Sequence, residues 1–468
     1  MPTFLSRLRS DAGRTARLAA PLAAGHLSHG LVGFVDAMVA GHHGTATLAA
    51  VSVGSALLWL PMLAPMGTLM ALPPAVSQLD GGGRRAAIGP LFRQALWLAL
   101  GLGIVLLGLL SALPLLLRPM GIAPDIVPGV VDFLHAVRWG IPAFTLYLSM
   151  RYLSDGLHWS LPTMLLGFGG LCLLAPTAYV LTNGLLDLPE LGAAGIGIAT
   201  TLMFWVQALG FALYLWRSPR FADLQLFAHF EWPRWPAQRE LLLNGLPIGV
   251  TVTMEGGLFA ATALLIGRLG EVPAAAHQVA LNVATLCFML PFGIAEATTV
   301  RVGHALGRGD RDGVRTAAFA GLALALCTQV CSALLMLAGH DAIAALYSAD
   351  PAVIALGGSL LLYAALFQLP DGVQVVSAGA LRGLNDTRVP MWMAALAYWG
   401  IGMPVGAGLG LWLGWGPRGM WLGLTAGLLV AAVLLCRRFL RSSARLPMPA
   451  ALPDPSSAPP SVTVTDAA

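Results

Sequence analysis

The sequence predicts an all-α integral membrane protein, built as twelve transmembrane helices in two pseudo-symmetric six-helix bundles. Three observations carry this. First, only 10% of the residues are charged and 57% are hydrophobic, at a mean hydropathy of +0.77; soluble domains carry about 25% charged residues. Second, apolar runs long enough to cross the ~30 Å hydrocarbon core recur along the chain. Third, the two halves repeat. Shifted by 226, Pro65, Gly67, Gly81 and Gly83 meet Pro291, Gly293, Gly307 and Gly309. Shifted by 228, Pro142, Leu153 and Pro162 meet Pro370, Leu381 and Pro390. Shifted by 224, Gly192 and Gly195 meet Gly416 and Gly419.

Taken in order, residues 1–16 read as an N-terminal arm holding Arg7, Arg9 and Arg14. Residues 17–216 form a first lobe with spans near 17–40, 46–78, 94–117, 130–152, 160–183 and 193–216. The first of these lacks a small-residue cleavage site and is expected to stay as a span. Residues 217–239 are a polar inter-lobe linker. Residues 240–440 form a second lobe with spans near 240–267, 273–300, 315–338, 355–381, 389–413 and 418–436. The tail, 441–468, is Pro, Ser and Ala rich and is expected to be disordered. Six spans per lobe make both halves enter the membrane in the same sense. The lobes are therefore related by an axis along the membrane normal, leave a cleft between them, and can rock to alternate access.

All 26 basic residues are arginine. Twenty-two of them fall in the segments on the side of the N-terminus, and three (Arg118, Arg268, Arg418) in the opposite loops. Positive residues stay inside, so both termini are expected in the cytoplasm, and the net +4 reflects topology rather than nucleic-acid binding. With no lysine, a Schiff base and a Gly-Lys phosphate loop are excluded. There is no nucleophile elbow, HExxH or dinucleotide fingerprint, so an enzyme is not expected. The five cysteines lack metal-ligand spacing; Cys327 and Cys331 read as buried thiols.

The chemistry centres on Asp371. It lies 11 residues before Arg382, roughly 16 Å along a helix and near the membrane midplane. An acid there costs about 2.5–3.5 kcal/mol on insertion scales, which is offset when something binds. Pro370 breaks the helix beside it, and Phe367 and Gln374 share its face. The seventh span presents Thr251 and Glu255; the eighth presents Gln278, Asn282, Thr285, Met289 and Phe292. These three stripes are expected to converge. Carboxylate, amide and hydroxyl oxygens suit a hard ion such as Na⁺ at Glu255 and Asp371, and paired buried acids suit a proton. Met254, Phe259 and Phe288 offer an adaptable apolar wall. In the first lobe Asp36 is the lone intramembrane acid of its span, nearer the outer end, and His29, seven residues before it, reads as a packing histidine, with a proton relay as the alternative. Glu296 is expected to pair with Arg301 or snorkel. Asp132 and Arg138 are on different faces, and Asp155 and Asp386 read as turn residues.

Several separated blocks resemble the multidrug and toxic compound extrusion (MATE) family, NorM branch, from about residue 14 to 440. They are Val35-Asp36-Ala37-Met38-Val39-Ala40-Gly41, Met254-Glu255, Ala275-Ala276-His277-Gln278-Val279-Ala280-Leu281-Asn282, Arg301-Val302-Gly303-His304, Asp371-Gly372-Val373-Gln374 and Leu381-Arg382-Gly383. The resemblance implies a bacterial inner-membrane antiporter, working without a cofactor, that exports cationic amphipathic drugs in exchange for Na⁺ or H⁺. It implies that Glu255 and Asp371 are the cation-site acids of the second lobe and Asp36 the acid of the first. A monomer in the bilayer is expected. Two departures stand out. Phe367 occupies a position where the family usually has tyrosine, and Leu174 and Ala178 fall where it usually has asparagine or aspartate, leaving Thr200. The alternatives are a flippase for lipid-linked precursors, which would want arginine in the cleft, and a non-transporting scaffold or channel, which the doubled acids disfavour.

Overall fold

The computed structural model describes residues 4–117, 119 and 122–446. Those residues contain no strand. The first lobe comprises α1 (Phe4–His43), α2 (Thr45–Leu69), α3 (Leu72–Gly81), α4 (Ile88–Ala112), α5 (Val127–Val137), α6 (Ile141–Gly156), α7 (Leu161–Asn183) and α8 (Ala193–Arg217). The second comprises α9 (Trp235–Gly267), α10 (Glu271–Gly307), α11 (Arg311–Tyr347), α12 (Pro351–Gly383), α13 (Arg388–Trp412) and α14 (Pro417–Ala444).

Eleven continuous helical stretches are long and apolar enough to cross a membrane. The twelfth expected span is present but broken. Between α5 and α6 the chain makes a 3₁₀ turn at Arg138–Gly140, because Pro142 has no N–H to return to Arg138. Likewise Pro73 and Pro74 interrupt the second span between α2 and α3, whereas its repeat partner α10 has no proline there and runs unbroken. The repeat is written into the backbone. The stretch Thr45–Gly81 is matched at an offset of 226 by Glu271–Gly307. Gly83 and Gly309 take φ of 70° and 69°, and Gly192 and Gly416 take 52° and 59°, conformations that favour glycine.

The lobes meet at the arginine-rich end of the molecule. A Cβ on Gly249 of α9 would stand 2.6 Å from the Ala64 carbonyl of α2, and one on Gly293 of α10 would stand 2.7 Å from Ala23 N of α1. Gly81 of α3 lies directly on the His304 backbone of α10. Such small-residue contacts let helices pack where lipid gives no hydrophobic drive. Polar links complete the seal: Arg301 donates to Asp11 at 2.7 Å, Gln78 to the Gly383 carbonyl at 2.9 Å, and Asn385 to Gln78 at 2.9 Å. Farther along α9, Gly257 instead meets Trp399 of its own lobe. The lobes thus close at one end and part around a central cavity.

Three expected boundaries shift. The arm 1–16 is not separate from the first span, since helix runs from Phe4 to His43. The linker 217–239 ends early, because Pro236 at the first turn starts α9 from Trp235. Its remainder is strapped to α4 rather than free: Arg85 donates to Asp223 at 2.7 Å, Arg93 to Glu231 at 3.0 Å and Trp97 to the Glu231 carbonyl at 2.8 Å. The Arg85 hydrogen bond holds the Asp223 carboxyl below the usual carboxylate range. The expected disordered tail begins too soon, since α14 continues to Ala444; the part from 447 onward lies outside the described residues, as does Arg118. Cys327 and Cys331 are exposed free thiols, not buried ones.

Candidate functional site

A cavity of about 350 Å³ lies between the lobes, and both contribute walls. From the second lobe come Thr251, Glu255 and Phe259 of α9, Thr285, Phe288, Met289 and Phe292 of α10, and Gln374 and Arg382 of α12. From the first come His26 and His29 of α1, Trp59 and Met66 of α2, and Arg151 of α6. Of the expected apolar wall, Phe259, Phe288, Met289 and Phe292 line the cavity, with Phe288 and Phe292 stacked at 5.5 Å, and Met254 does not.

Glu255 faces this space directly. Asp371 lies behind it, only 2% exposed, and within coulombic reach of Glu255. Among the described residues no arginine stands within ion-pair distance of either acid, but Arg382, which lines the same cavity, is within coulombic reach of Glu255. The expected break at Pro370 is not present, since α12 runs unbroken through it; Gln329 of α11 donates to the Gln368 carbonyl at 3.0 Å and its side-chain oxygen at 2.6 Å. Gln374 donates to the Tyr398 hydroxyl at 2.6 Å, while its own Oε1 is buried without a partner. Such an acceptor beside two carboxylates is costly unless something positive meets it. Tyr398 escaped the sequence reading. It sits in a π-helical turn, Leu396–Gly402, a widening frequent at functional sites; the run Ala395–Gly402 reads from sequence as plain apolar helix. Its hydroxyl enters the site from α13, while Phe367 offers only its ring, packed edge-on against Phe259 at 6.0 Å and Trp421 at 5.5 Å.

The three stripes converge only in part. Gln278 and Asn282 bond to each other at 2.9 Å, and neither lines the cavity. Thr251 lines it, but its hydroxyl is spent on the Pro247 carbonyl at 2.8 Å. Asp36 is 4% exposed with Oδ1 unpartnered, yet it too is absent from the cavity wall. Leu174 and Ala178 are fully buried, and the Thr200 hydroxyl donates to its own helix at Ile196, 3.0 Å away. His29 stacks on Tyr147 at 5.8 Å with Nε2 unpartnered.

A charged network closes the cavity at its arginine-rich end, and sequence reasoning missed it. Glu296 of α10 does not pair with Arg301. It accepts from His26 of α1 at 2.8 Å and from Arg151 of α6 at 3.2 Å, both across the lobe boundary. Asp155 is no free turn residue: it accepts from Arg151 at 3.2 Å and Thr163 at 2.8 Å. Asp386 takes Arg438 at 2.7 Å, and Arg138 donates to Ser111 rather than to Asp132. Arg382 is buried with two nitrogens unpaired. So two arginines assigned to the inner face from sequence reach the cavity floor. Periodicity within one helix cannot reveal partners that lie 145 and 270 residues apart.

Similarity to known proteins follows the same blocks. The chain is 64% identical to the probable multidrug resistance protein NorM of Xanthomonas campestris pv. campestris, over 95% of this chain and 97% of that one. It is 44% identical to the multidrug resistance protein PmpM of Pseudomonas aeruginosa, covering 94% and 93%. Its fold matches the eukaryotic MATE transporter AtDTX14 at a TM-score of 0.86 and 18% identity, covering 94% and 98%. It matches an outward-facing multidrug resistance MATE family transporter of the MOP superfamily at 0.85 and 18%, covering 95% and 99%. The MatE pattern is met at residues 21–180 and again at 247–407, one copy in each lobe, and this chain belongs to the MatE family.

Proposed function

We propose that this protein is a multidrug efflux antiporter of the bacterial inner membrane, monomeric, with both termini in the cytoplasm. It exports cationic amphipathic compounds in exchange for a monovalent cation, H⁺ or Na⁺. One observation carries the reading: Glu255 faces an aromatic and methionine-lined cavity shared by both lobes, and among the described residues no arginine stands within ion-pair distance of Glu255 or Asp371, Arg382 of the cavity floor acting on Glu255 only at longer range. A cationic drug finds there a negative counter-charge and adaptable apolar walls.

The coupling follows from competition. When the coupling ion enters from the far side, it neutralises Glu255 and Asp371 and the drug loses its counter-ion. Gln374 Oε1 and the Tyr398 hydroxyl add neutral oxygens that suit Na⁺; the two acids alone suffice for a proton. Rocking the lobes then resets the empty cavity toward the cytoplasm. An ion with equal affinity for both facings would drive nothing, so the lobe contacts that exist in only one facing are part of the machine.

The test is drug efflux from proteoliposomes, read with a fluorescent organic cation under imposed pH or Na⁺ gradients. One gradient is expected to drive exchange, and the pair Glu255→Gln with Asp371→Asn is expected to fall to the level of empty vesicles. Efflux that survives that pair would overturn the mechanism. The flippase alternative draws on Arg151 and Arg382 at the cavity floor. Yet Arg151 is saturated by Glu296 and Asp155, which leaves one arginine for an anionic headgroup. Stimulation by lipid-linked phosphates without any effect of organic cations would reverse the order of the two.

A further inference from the structure

At the arginine-rich end, beyond the seal, three metal-ligating groups meet from both lobes. Asp80 ends α3, His158 lies in the turn between α6 and α7, and His304 is on α10. One ligand atom from each can be chosen so that all lie within 4.8 Å of one another. His304 Nδ1 stands 3.4 Å from Asp80 Oδ2, an ion-pair distance when the imidazole is protonated. Ligands at ~2.0–2.1 Å around a tetrahedral zinc sit about 3.4 Å apart, so this pair already has the spacing. The His158 and His304 rings are 5.0 Å apart, edge to face, and His158 closes the set by a side-chain turn.

We propose that Asp80, His158 and His304 form a zinc-type transition-metal site that clamps the two lobes together on the cytoplasmic face. Two imidazoles and one carboxylate, with a fourth position left to water, are a common zinc donor set. The charges around the site permit a divalent ion. Asp80 meets Arg85 through Oδ1 and His304 through Oδ2, so the carboxylate can ligate without releasing Arg85, which Asp223 also holds. Arg301 is paired to Asp11 and Arg308 to Asp310. Both histidines line a cavity of about 570 Å³ at this face, whose walls also carry Asp11, Asp310, Arg14 and Arg17, so an entering cation must pass arginines as well as acids. None of the three lines the central cavity, so the site is distinct from the one proposed for cation and drug.

The consequence for transport rests on the efflux reading. Asp80 and His158 belong to the first lobe and His304 to the second, so the set exists only while this face is shut. Zinc at 100 times its Kd would favour the shut state about 100-fold. The test is ZnCl₂ added to the full chain in nanodiscs, with calorimetry, thermal unfolding and zinc X-ray absorption, followed by efflux from proteoliposomes. Zinc is expected to bind one to one, raise the Tm, show an imidazole-containing shell, and slow efflux at least ~5-fold, reversibly with chelator. His158→Gln with His304→Gln is expected to lose the Tm shift and the inhibition while keeping zinc-free efflux. Glu255→Gln with Asp371→Asn is expected to keep the Tm shift, which separates failure of the site from failure of the efflux reading. No binding up to ~1 mM, a shell without imidazole, or an undiminished shift in the histidine pair would overturn the site. Should the histidine pair not fold, Asp80→Asn with the absorption spectrum decides by the same criteria.

Discussion

The two lobes share a backbone and differ in what surrounds their acids. In the second, Glu255 opens onto the cavity with Gln374, Phe259, Phe288 and Phe292 in the same wall, and Gln374 is bonded to the Tyr398 hydroxyl. In the first, Asp36 is buried with Oδ1 unpartnered and lines no part of that cavity, while Leu174 and Ala178 belong to the apolar core of the lobe. Duplication has therefore left one helical frame with two interiors. The two acid positions thus differ in access to the cavity, which Glu255 lines and Asp36 does not. The comparison breaks first at the acids themselves. Glu255→Gln or Asp371→Asn alone should lower coupled efflux roughly 5–150-fold, the span of a 1–3 kcal/mol coupling free energy. Asp36→Asn should change it less than about 5-fold. Equal losses in the two lobes would erase the distinction.

The lobes are also joined unequally. Glu296 is the second lobe's only acid bonded to His26 and Arg151 among the described residues. Glu296→Gln removes its charge from this facing alone. Losing one partner of a buried pair costs about 3–5 kcal/mol, and the glutamine amide retains part of that. The expected result is a shift toward opening at the arginine-rich end by roughly 5–150-fold, as for other coupling energies of 1–3 kcal/mol. Spin labels on the arginine-rich ends of α4 and α11 would read it as a longer distance. An unchanged distance would mean that the glycine contacts alone hold the seal.

A finer probe asks whether the first lobe keeps a latent site. Leu174→Asn buries an amide where the chain now has none. It should destabilise the fold by about 1–3 kcal/mol. Asp36 Oδ1 is an acceptor in want of a donor, so the cycle with Asp36→Asn should show a coupling near 0.6 kcal/mol, the mean for such bonds in membranes. Strict additivity in thermal unfolding would show that position 174 does not face Asp36.

Much of this was legible in the residues, and the limits have physical causes. Spanning segments, the repeat and the mid-depth acids are one-dimensional signals: run length, offset and a charge where charge is costly. Thr251, Glu255, Gln374, Met289 and Phe292 followed because one helix face points one way. Gln278 and Asn282 share a face with Met289, but they bond to each other and lie outside the cavity wall; periodicity gives a face and not a depth. Tyr398 and the Glu296 network required the third dimension. A π turn is invisible to a 3.6-residue period, and a partner across the lobe boundary leaves no local mark.

The smallest effect tests Phe367, a position where the resemblance implies tyrosine. Phe367→Tyr adds one hydroxyl at a ring only 3% exposed. Left unpaired, that hydroxyl would cost about 1–3 kcal/mol. It need not be, because Trp421 Nε1 and Gln374 Oε1 are both buried without partners, and the 367 ring already lies edge-on to Trp421 at 5.5 Å. A tyrosine that accepts from Trp421 or donates to Gln374 offsets its own desolvation, so the Tm should move by no more than the equivalent of about 1 kcal/mol. It also adds an oxygen to the set around Asp371, so the coupling ion should bind more tightly by a few-fold, while Phe144→Tyr in the first lobe should leave ion affinity unchanged. A large fall in Tm would show that the hydroxyl finds no partner and that the second-lobe interior is packed for phenylalanine.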